Sequence, residues 1–567
     1  MKSLITLLLF PGLVAAGVST SKADLVLQHG KIYTMDAARS WADSIAITDG
    51  QIVYVGDDSG VRSWIADGTR TIDLAGRFVM PSFIDAHVHP LSAGVELGQC
   101  ALTDASTLEG ILATVKQYAA EHPALAWVLG SNWQLPTFRD ANPRKEWLDA
   151  IVPDRPVLLT SADGHSAWAN SKALEIAGVT RSTTDPEDGR IERSAGGEPT
   201  GTLRESAIDL VYKMAPASTL EERVVGLRRA VRIMNGFGIT GFHDASVTED
   251  ELKAYAEVER TGGLTVRAIT ALYADPMQPV EQIERLKRLR RQYHGKYFQA
   301  TAVKIFEDGV IEPATAALLK PYLGRDGDAG SLNWEPEKLN PLVAWLDREQ
   351  FQVHFHAIGD RAIRASLTAL EEARRANGPR DARPLIAHLE LIDPADIPRF
   401  ARIPVIPVFQ PIWAYADSYI TELTVPKLGP DRMRWVYPLG SIHQTGALMA
   451  MGSDWSVSSV NPLEGIEVAV TRQDPEGPRA SDRPFYPEER LDLQTALAAY
   501  TIGSAFASFR EKETGSIEAG KSADLIVLSR NLFEISPAEI SEVKVLCTLF
   551  EGKSVYEVPE WAGPTAK

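Results

Sequence analysis

The sequence predicts a (β/α)8 TIM barrel carrying an inserted subdomain, with a small β-sandwich domain built from both ends of the chain. Three observations predict it. Eight short apolar runs between residues 83 and 454 alternate with helical periodicities, the stretch 91–238 is too long for one barrel connection, and β-type alternation recurs at the two termini. Parallel strands separated by helices close into a barrel whose functional groups gather at the C-terminal ends of the strands. The expected boundaries are 1–23 for a signal peptide, 24–82 and 511–560 for the two parts of the β domain, and 83–510 for the barrel with its insertion at 91–238.

The chain opens MKSLITLLLFPGLVAAG, with one early lysine, an apolar run over 4–16 and then small residues. That is the layout of a secretory signal peptide, with cleavage expected after Ala16 or after Ala23. The run is too short to span a bilayer, and nothing later reaches about 18 continuous apolar residues. A mature protein without a membrane span, periplasmic or secreted, is therefore expected. Cys100 and Cys547 are the only cysteines. An oxidising compartment would permit a disulfide, but two cysteines so far apart read as free and buried.

In the β domain, LVLQHGKIYTM, SIAITDGQIVYVG and TIDLAGRFVM alternate at the N-terminus, with Asp49-Gly50 as a hairpin turn. At the other end GSIEAGKSADLIVLS and VKVLCTLFEGKSVYEV repeat the pattern, with Glu551-Gly552 at a turn. Neither segment has enough strands to be stable alone, so one domain built from both is expected. The barrel strands are expected at 83–89, 239–245, 265–273, 302–308, 352–358, 384–391, 404–410 and 447–454, with helices at 221–235, 280–293 and 361–376. The insertion brings its own strand, RPVLLTSADGH, and would shape access to the barrel mouth.

Lys plus Arg number 58 against 75 Asp plus Glu, a formal net charge of -17. Such an acidic balance repels nucleic acid and anionic lipid, which leaves a small-molecule substrate as the expected partner. It leaves homo-oligomer formation open. The basic run RLKRLRR at 285–291 has the spacing of a solvated helix face. SAGGEPTG reads as a turn and not a phosphate loop, and no G-x-S-x-G nucleophile motif occurs.

His87 and His89 stand two apart at the end of the first barrel strand, so their side chains share a face and could hold one metal ion. Alone, such a pair is also compatible with two incidental polar residues in a turn. His356 at the end of strand five, His388 on strand six and Asp454 after strand eight add ligand types at the same rim. Lys304 lies within the apolar strand AVKIFEDG, where a charged lysine is expelled unless neutralised or paired. Two resolutions are open: a CO2-derived carbamate able to bridge two metals, or an ion pair with Glu307, Asp308 or Asp454. His165 in SADGHSAW either donates to a substrate oxygen or is structural. His243 either reaches the metal or pairs with Asp244, and His354 reads as core or support one layer below His356. Trp133, Trp168, Trp413 and Trp455 either line an aromatic pocket or belong to the core.

The motifs MPSFIDAHVHP, SADGHSAWANSKAL, GEPTGTLRESA, VKIFEDG, HFHAIGDRAI, IAHLEL, MGSDWSV and TGSIEAGKSADLIVL, in this order, resemble the amidohydrolase superfamily, and within it the YtcJ-like group called amidohydrolase family 3. The resemblance covers nearly the whole mature chain. It implies that His87 and His89 bind one divalent ion and His356 and His388 another. It further implies that carbamylated Lys304 bridges them, and that Asp454 is the last ligand and the proton shuttle. The common family form DGSLG is replaced here by DGVIEPATA at 308–316, so the resemblance does not carry a substrate with it.

Two divalent ions sharing a hydroxide would lower the pKa of water and polarise a carbonyl. Asp454 would then carry the proton to the departing nitrogen. The expected reaction is hydrolysis of a C–N bond in an amide, an N-acyl or N-formyl amine, or a cyclic amide, with zinc the expected ion for imidazole and oxygen ligands. A metal-dependent deaminase is the alternative within enzymes, against which a bridging lysine argues. A non-catalytic periplasmic binding protein is the alternative outside them, against which a complete ligand set argues.

Overall fold

The computed structural model describes residues 22–186, 188–278, 281–477 and 483–561. The signal-peptide expectation lies outside these residues, apart from its last two positions.

Eight parallel strands form the barrel sheet in sequence order: β1 (Phe83–Val88), β2 (Ile239–Val247), β3 (Arg267–Tyr273), β4 (Phe298–Phe306), β5 (Gln352–Ala357), β6 (Leu385–His388), β7 (Ile406–Phe409) and β8 (Ala450–Met451). Every residue of β1 and β5 is buried, including the polar Asp85, His87, Gln352, His354 and His356, so both faces of these strands are covered, as in a parallel barrel. Just beyond β8 the Asp454 N–H donates to the His87 carbonyl (2.8 Å) and the His89 N–H to the Trp455 carbonyl (2.9 Å), joining the last strand to the first. Gly452 permits this approach, because a Cβ there would stand 2.5 Å from the His87 nitrogen.

Helices cross between the strands, among them Leu220–Gly236, Glu249–Arg260, Ile283–Gln292, Pro336–Arg348 and Asp360–Asn377. The first two start at capping boxes, Thr219 with Glu222 and Thr248 with Glu251, where each side chain satisfies backbone N–H groups left open at the helix start. Between β1 and β2 lies a six-stranded sheet in the spatial order Gly189–Arg193, Pro199–Glu205, Ser166–Ala169, Val157–Ser161, Val128–Trp133, Cys100–Ala101. One apolar cluster around Ile111, Val128 and Trp168 packs against it, and a second around Leu158, Leu174 and Leu203.

The termini build two facing sheets. One contains Gln51–Gly56, Ser44–Thr48, Leu25–Gln28 and Arg70–Asp73; the other joins Lys553–Glu557, Val545–Phe550 and Leu525–Leu528 to Phe78–Pro81, Lys31–Tyr33 and Trp41–Ala42. Leu25, Ile45 and Ile47 from the first share a core with Val79, Leu525 and Leu549 from the second. Asp49-Gly50 and Glu551-Gly552 both have positive φ at the two turn positions, the geometry that matches strand twist in a tight hairpin. Cys100 and Cys547 are free, buried, and in separate cores. Among the described residues no helix is long and apolar enough to cross a membrane.

Candidate metal centre

His87, His89, His165, Lys304, His356, His388 and Asp454 all line one cavity at the C-terminal end of the barrel. Donor atoms of His87, His89 and Asp454 lie within 4.8 Å of one another, the spacing of a metal-ligand group. Asp454 Oδ1 is 3.2 Å from His89 Nε2 and 3.5 Å from His87 Nε2, and this buried oxygen has no hydrogen-bond partner among the described residues. An unsatisfied carboxylate oxygen between two imidazoles suits a divalent cation, so the donor set fits a metal.

The other predicted ligands stand beside this trio. Lys304 Nζ is 3.3 Å from His87 Nε2, and His388 Nδ1 is 3.9 Å from Asp454 Oδ2. The rings of His356 and His388 are 4.4 Å apart, and His356 Nε2 approaches the Gly309 carbonyl at 3.2 Å.

Burial pushes His87, His354 and His356 well below the usual imidazole range, reinforced by the positive charges of neighbouring groups, and takes His388 down to about 3. They are therefore neutral, the form that ligates metal. Lys304 is fully buried and forms no ion pair among the described residues, which removes the expected alternative of a pair with Glu307, Asp308 or Asp454. Burial lowers its amine to about 7, partly opposed by the Asp454 charge, so a large neutral fraction is present near neutrality.

Several supporting groups were not legible in the sequence. Asp85 Oδ1 accepts the His87 N–H (3.1 Å), and Asp85 Oδ2 accepts the Ser453 hydroxyl (2.5 Å), bracing strands β1 and β8 under the site. Burial raises Asp85 to about 7, partly offset by those hydrogen bonds. Gln410 Oε1 lies 2.9 Å from His388 Nδ1, a contact that fixes the ring's orientation.

His165 reaches the cavity from the inserted sheet. Its Nδ1 is 2.7 Å from Glu205 Oε2, and the Thr315 hydroxyl donates to Glu205 Oε1 at 2.5 Å. Burial disfavours the His165 cation, but Glu205 outweighs it, with help from Asp163 and Asp454, and raises His165 to about 9. Thr315 belongs to the DGVIEPATA loop. Asp308 of that loop accepts N–H groups of Ala317, Ile358 and Gly359 at 2.8, 3.0 and 2.9 Å, which anchors the loop at the rim.

His243 does not pair with Asp244. Its Nε2 is 2.9 Å from Ser508 Oγ, whereas Asp244 accepts the Tyr255 hydroxyl at 2.6 Å. Successive residues on a strand point to opposite sides, which separates the two side chains. His354 lies 2.8 Å (Nε2) from His87 Nδ1 and supports that ring from below. Trp133 and Trp168 belong to the insertion's core and do not line the pocket, whereas Trp413 stacks on His388 with ring centroids 5.7 Å apart. Trp455 lines an adjoining groove.

A family model described as Amidohydrolase family matches residues 70–556. The chain is 32% identical over 536 residues to the putative amidohydrolase YtcJ of Bacillus subtilis, covering 93% of this chain and 98% of that one. It is 28% identical over 549 residues to an N-substituted formamide deformylase of Arthrobacter pascens, covering 95% and 99%. A solved metal-dependent hydrolase of Pyrococcus horikoshii superposes with a TM-score of 0.72 at 25% identity, covering 90% of this chain and 99% of that one. With this match running through the barrel, the rim histidines and both parts of the β domain, the chain belongs to the amidohydrolase family, in its YtcJ-like group, and is a metal-dependent hydrolase.

Proposed function

We propose that this protein hydrolyses a non-peptide C–N bond, in an amide, an N-acyl or N-formyl amine, or a cyclic amide, using two divalent ions of which zinc is the expected species. The observation that carries the reading is the convergence of His87, His89, His356, His388, Asp454 and the unpaired Lys304 on one cavity, beside the His165–Glu205 pair. The formamide-cleaving relative supports the choice of bond. Lys304, buried without a carboxylate partner, is proposed to carry the CO2-derived carbamate that links the two halves of the ligand set.

The ions would be held by His87 and His89 on one side, by His356 and His388 on the other, with Lys304 between and Asp454 completing the set. Bound there, they would supply positive charge that polarises a carbonyl and acidifies water near neutral pH. Asp454 accepts the proton released as water attacks and delivers it to the departing nitrogen. Burial raises the Asp454 carboxyl, but its close approach to His89, with His388 and Lys304, outweighs it and keeps Asp454 ionised, able to accept a proton, at working pH. Charged His165, held at Nδ1 by Glu205, leaves Nε2 to donate to the carbonyl oxygen as negative charge develops on it. Trp413 stacks on His388, and the loop anchored by Asp308 borders the site.

A periplasmic or secreted location is proposed from the N-terminal signal sequence. Ala23 is buried and its N–H donates to the Trp64 carbonyl at 2.9 Å, which favours cleavage after Ala16 over cleavage after Ala23.

The test is a substrate panel on the full chain reconstituted with zinc in bicarbonate buffer. N-formyl and N-acetyl amines and small cyclic amides are expected to yield carboxylic acid and amine in equal amounts. Release of ammonia from amidine-containing heterocycles, with none of the amides cleaved, would transfer the assignment to a deaminase.

A further inference from the structure

The cavity extends from the metal centre into two lobes. The larger, about 470 Å³, holds the ligands described above. The smaller, about 240 Å³, is reached past His356, His388 and Asp454. Aromatic rings of Trp413, Tyr415, Tyr419 and Tyr437 wall it, together with the carboxylates Glu312, Glu390 and Asp417. Among the described residues no lysine or arginine lines the smaller lobe, and Lys304 is the only one lining the larger.

Burial, with mutual repulsion, pushes the carboxyls of Glu312, Glu390 and Asp417 up from the usual range, and a cation entering among them favours their ionised form. The protein's own cations do not serve: His165, which also lines the lobe, is held by Glu205 at 2.7 Å. Lys427, near Glu312, donates its ammonium to the Leu423 carbonyl at 3.0 Å. Arg472, behind Tyr437, donates to the Tyr437 and Phe485 carbonyls at 3.0 and 2.8 Å. Asp417 accepts the Ile420 N–H at 2.8 Å, and Glu312 has a long contact of 3.4 Å from the Thr424 hydroxyl. Glu390 is 2% exposed, lines the lobe, and its Oε1 has no hydrogen-bond partner among the described residues. A buried carboxylate oxygen without a donor is costly, so one is retained where a ligand supplies the donor.

We infer that the aromatic lobe receives a protonated amine, so that the substrate is an amide whose arm remote from the scissile bond ends in an alkylammonium group. The ammonium provides three N–H donors for the carboxylates, and aromatic faces attract a desolvated cation. The cationic side chain that lines this lobe, His165, is already paired with Glu205, so a substrate ending in a carboxylate or phosphate gains no free cation there and faces the carboxyl groups of Glu312, Glu390 and Asp417. The inference rests on the amide-hydrolase reading given above.

The test uses the zinc-loaded full chain and three formamides of equal length: a mono-N-formyl diamine of four or five carbons, the neutral N-alkylformamide, and the ω-formamido carboxylate. The expected order of kcat/KM is cation above neutral by about tenfold or more, as a charge-assisted hydrogen bond provides, with the anion lowest. Glu312→Gln and Asp417→Asn, tested separately so that one folding failure does not remove the test, are each expected to reduce the cation-to-neutral ratio at least fivefold. An equal or reversed ratio in the unmodified protein, or a ratio unchanged in both variants, overturns the inference. Calorimetric binding of the free diamine against the matching alkanol needs no turnover. Diamine binding with no amide cleaved would uphold the cation lobe and sink the amide reading, whereas cleavage without preference for the cation would do the reverse.

Discussion

Replacing Glu205 with glutamine removes the charge that keeps His165 protonated while leaving a group of the same shape. In the native protein Glu205 Oε2 sits 2.7 Å from His165 Nδ1, and the imidazole is raised from 6.5 to about 9. At about 1.4 kcal/mol per pKa unit, that rise corresponds to roughly 3 kcal/mol in favour of the charged ring. Without Glu205, burial is left opposed mainly by the weaker fields of Asp163 and Asp454, so His165 is expected to fall to its ordinary value or below. A ring titrating at about 6.5 is only about one-tenth protonated at pH 7.5, so kcat/KM at that pH should fall about tenfold. The variant's alkaline limb should also move down by about two pH units. Bound cations lower His165 in both proteins, but the difference between the two survives. The same pair contributes stability that is fully present below about pH 6.5 and is lost as pH rises through about 9, because the folded-state value is the raised one. The assay is a pH–rate profile of both proteins on one good amide substrate, with metal content measured in parallel. An alkaline limb unmoved by Glu205→Gln at equal metal content would refute the reasoning.

Other outcomes follow from the same geometry. Asp454→Asn should keep most of the metal and lower kcat about 100-fold or more, the size of a lost general acid and base; near-normal turnover would remove its shuttle role. Lys304→Ala should lose metal and activity together, with partial recovery on adding short carboxylic acids, and retention of both ions would end the carbamate proposal. Arg204, 1% exposed, donates to Ser166 Oγ, the Ala141 carbonyl and Asn142 Oδ1 at 2.6, 2.7 and 2.9 Å and pairs with Glu192. Arg204→Ala should therefore cost the inserted sheet about 3–5 kcal/mol, the scale for breaking a buried ion pair, read as faster amide hydrogen exchange in Val128–Trp133 and Val157–Ser161; unchanged exchange there would contradict it.

What the sequence made legible divides by the range of the interaction. The eight barrel strands were readable from short, largely apolar stretches recurring between helical periodicities, even where polar residues such as His354 and His356 interrupt them, and Asp49-Gly50 was readable because a tight hairpin demands positive φ at consecutive residues. His87, His89 and Asp454 carried a signal because ligand types at strand ends share one rim. Glu205 and Glu390 fall inside the motifs GEPTGTLRESA and IAHLEL but had no role assigned by them, and Gln410 carried no signal. Each acquires meaning only from a partner or cavity that folding brings to it: Glu205 from His165 and Thr315, Gln410 from His388, Glu390 from the aromatic lobe. The open reading of His243 with Asp244 followed adjacency in sequence, which in a strand places side chains on opposite faces. Trp133 and Trp168 show the same limit, since bulk and apolarity do not tell an inner core from a pocket wall.

The central claim is that these histidines, Lys304 and Asp454 form a two-ion centre, and elemental analysis tests it most directly. The mature protein, purified without chelator and held in bicarbonate buffer, is predicted to contain about two equivalents of zinc or a similar divalent ion per chain, and about none in Lys304→Ala. No bound metal in the unmodified protein, even after reconstitution, would contradict the account.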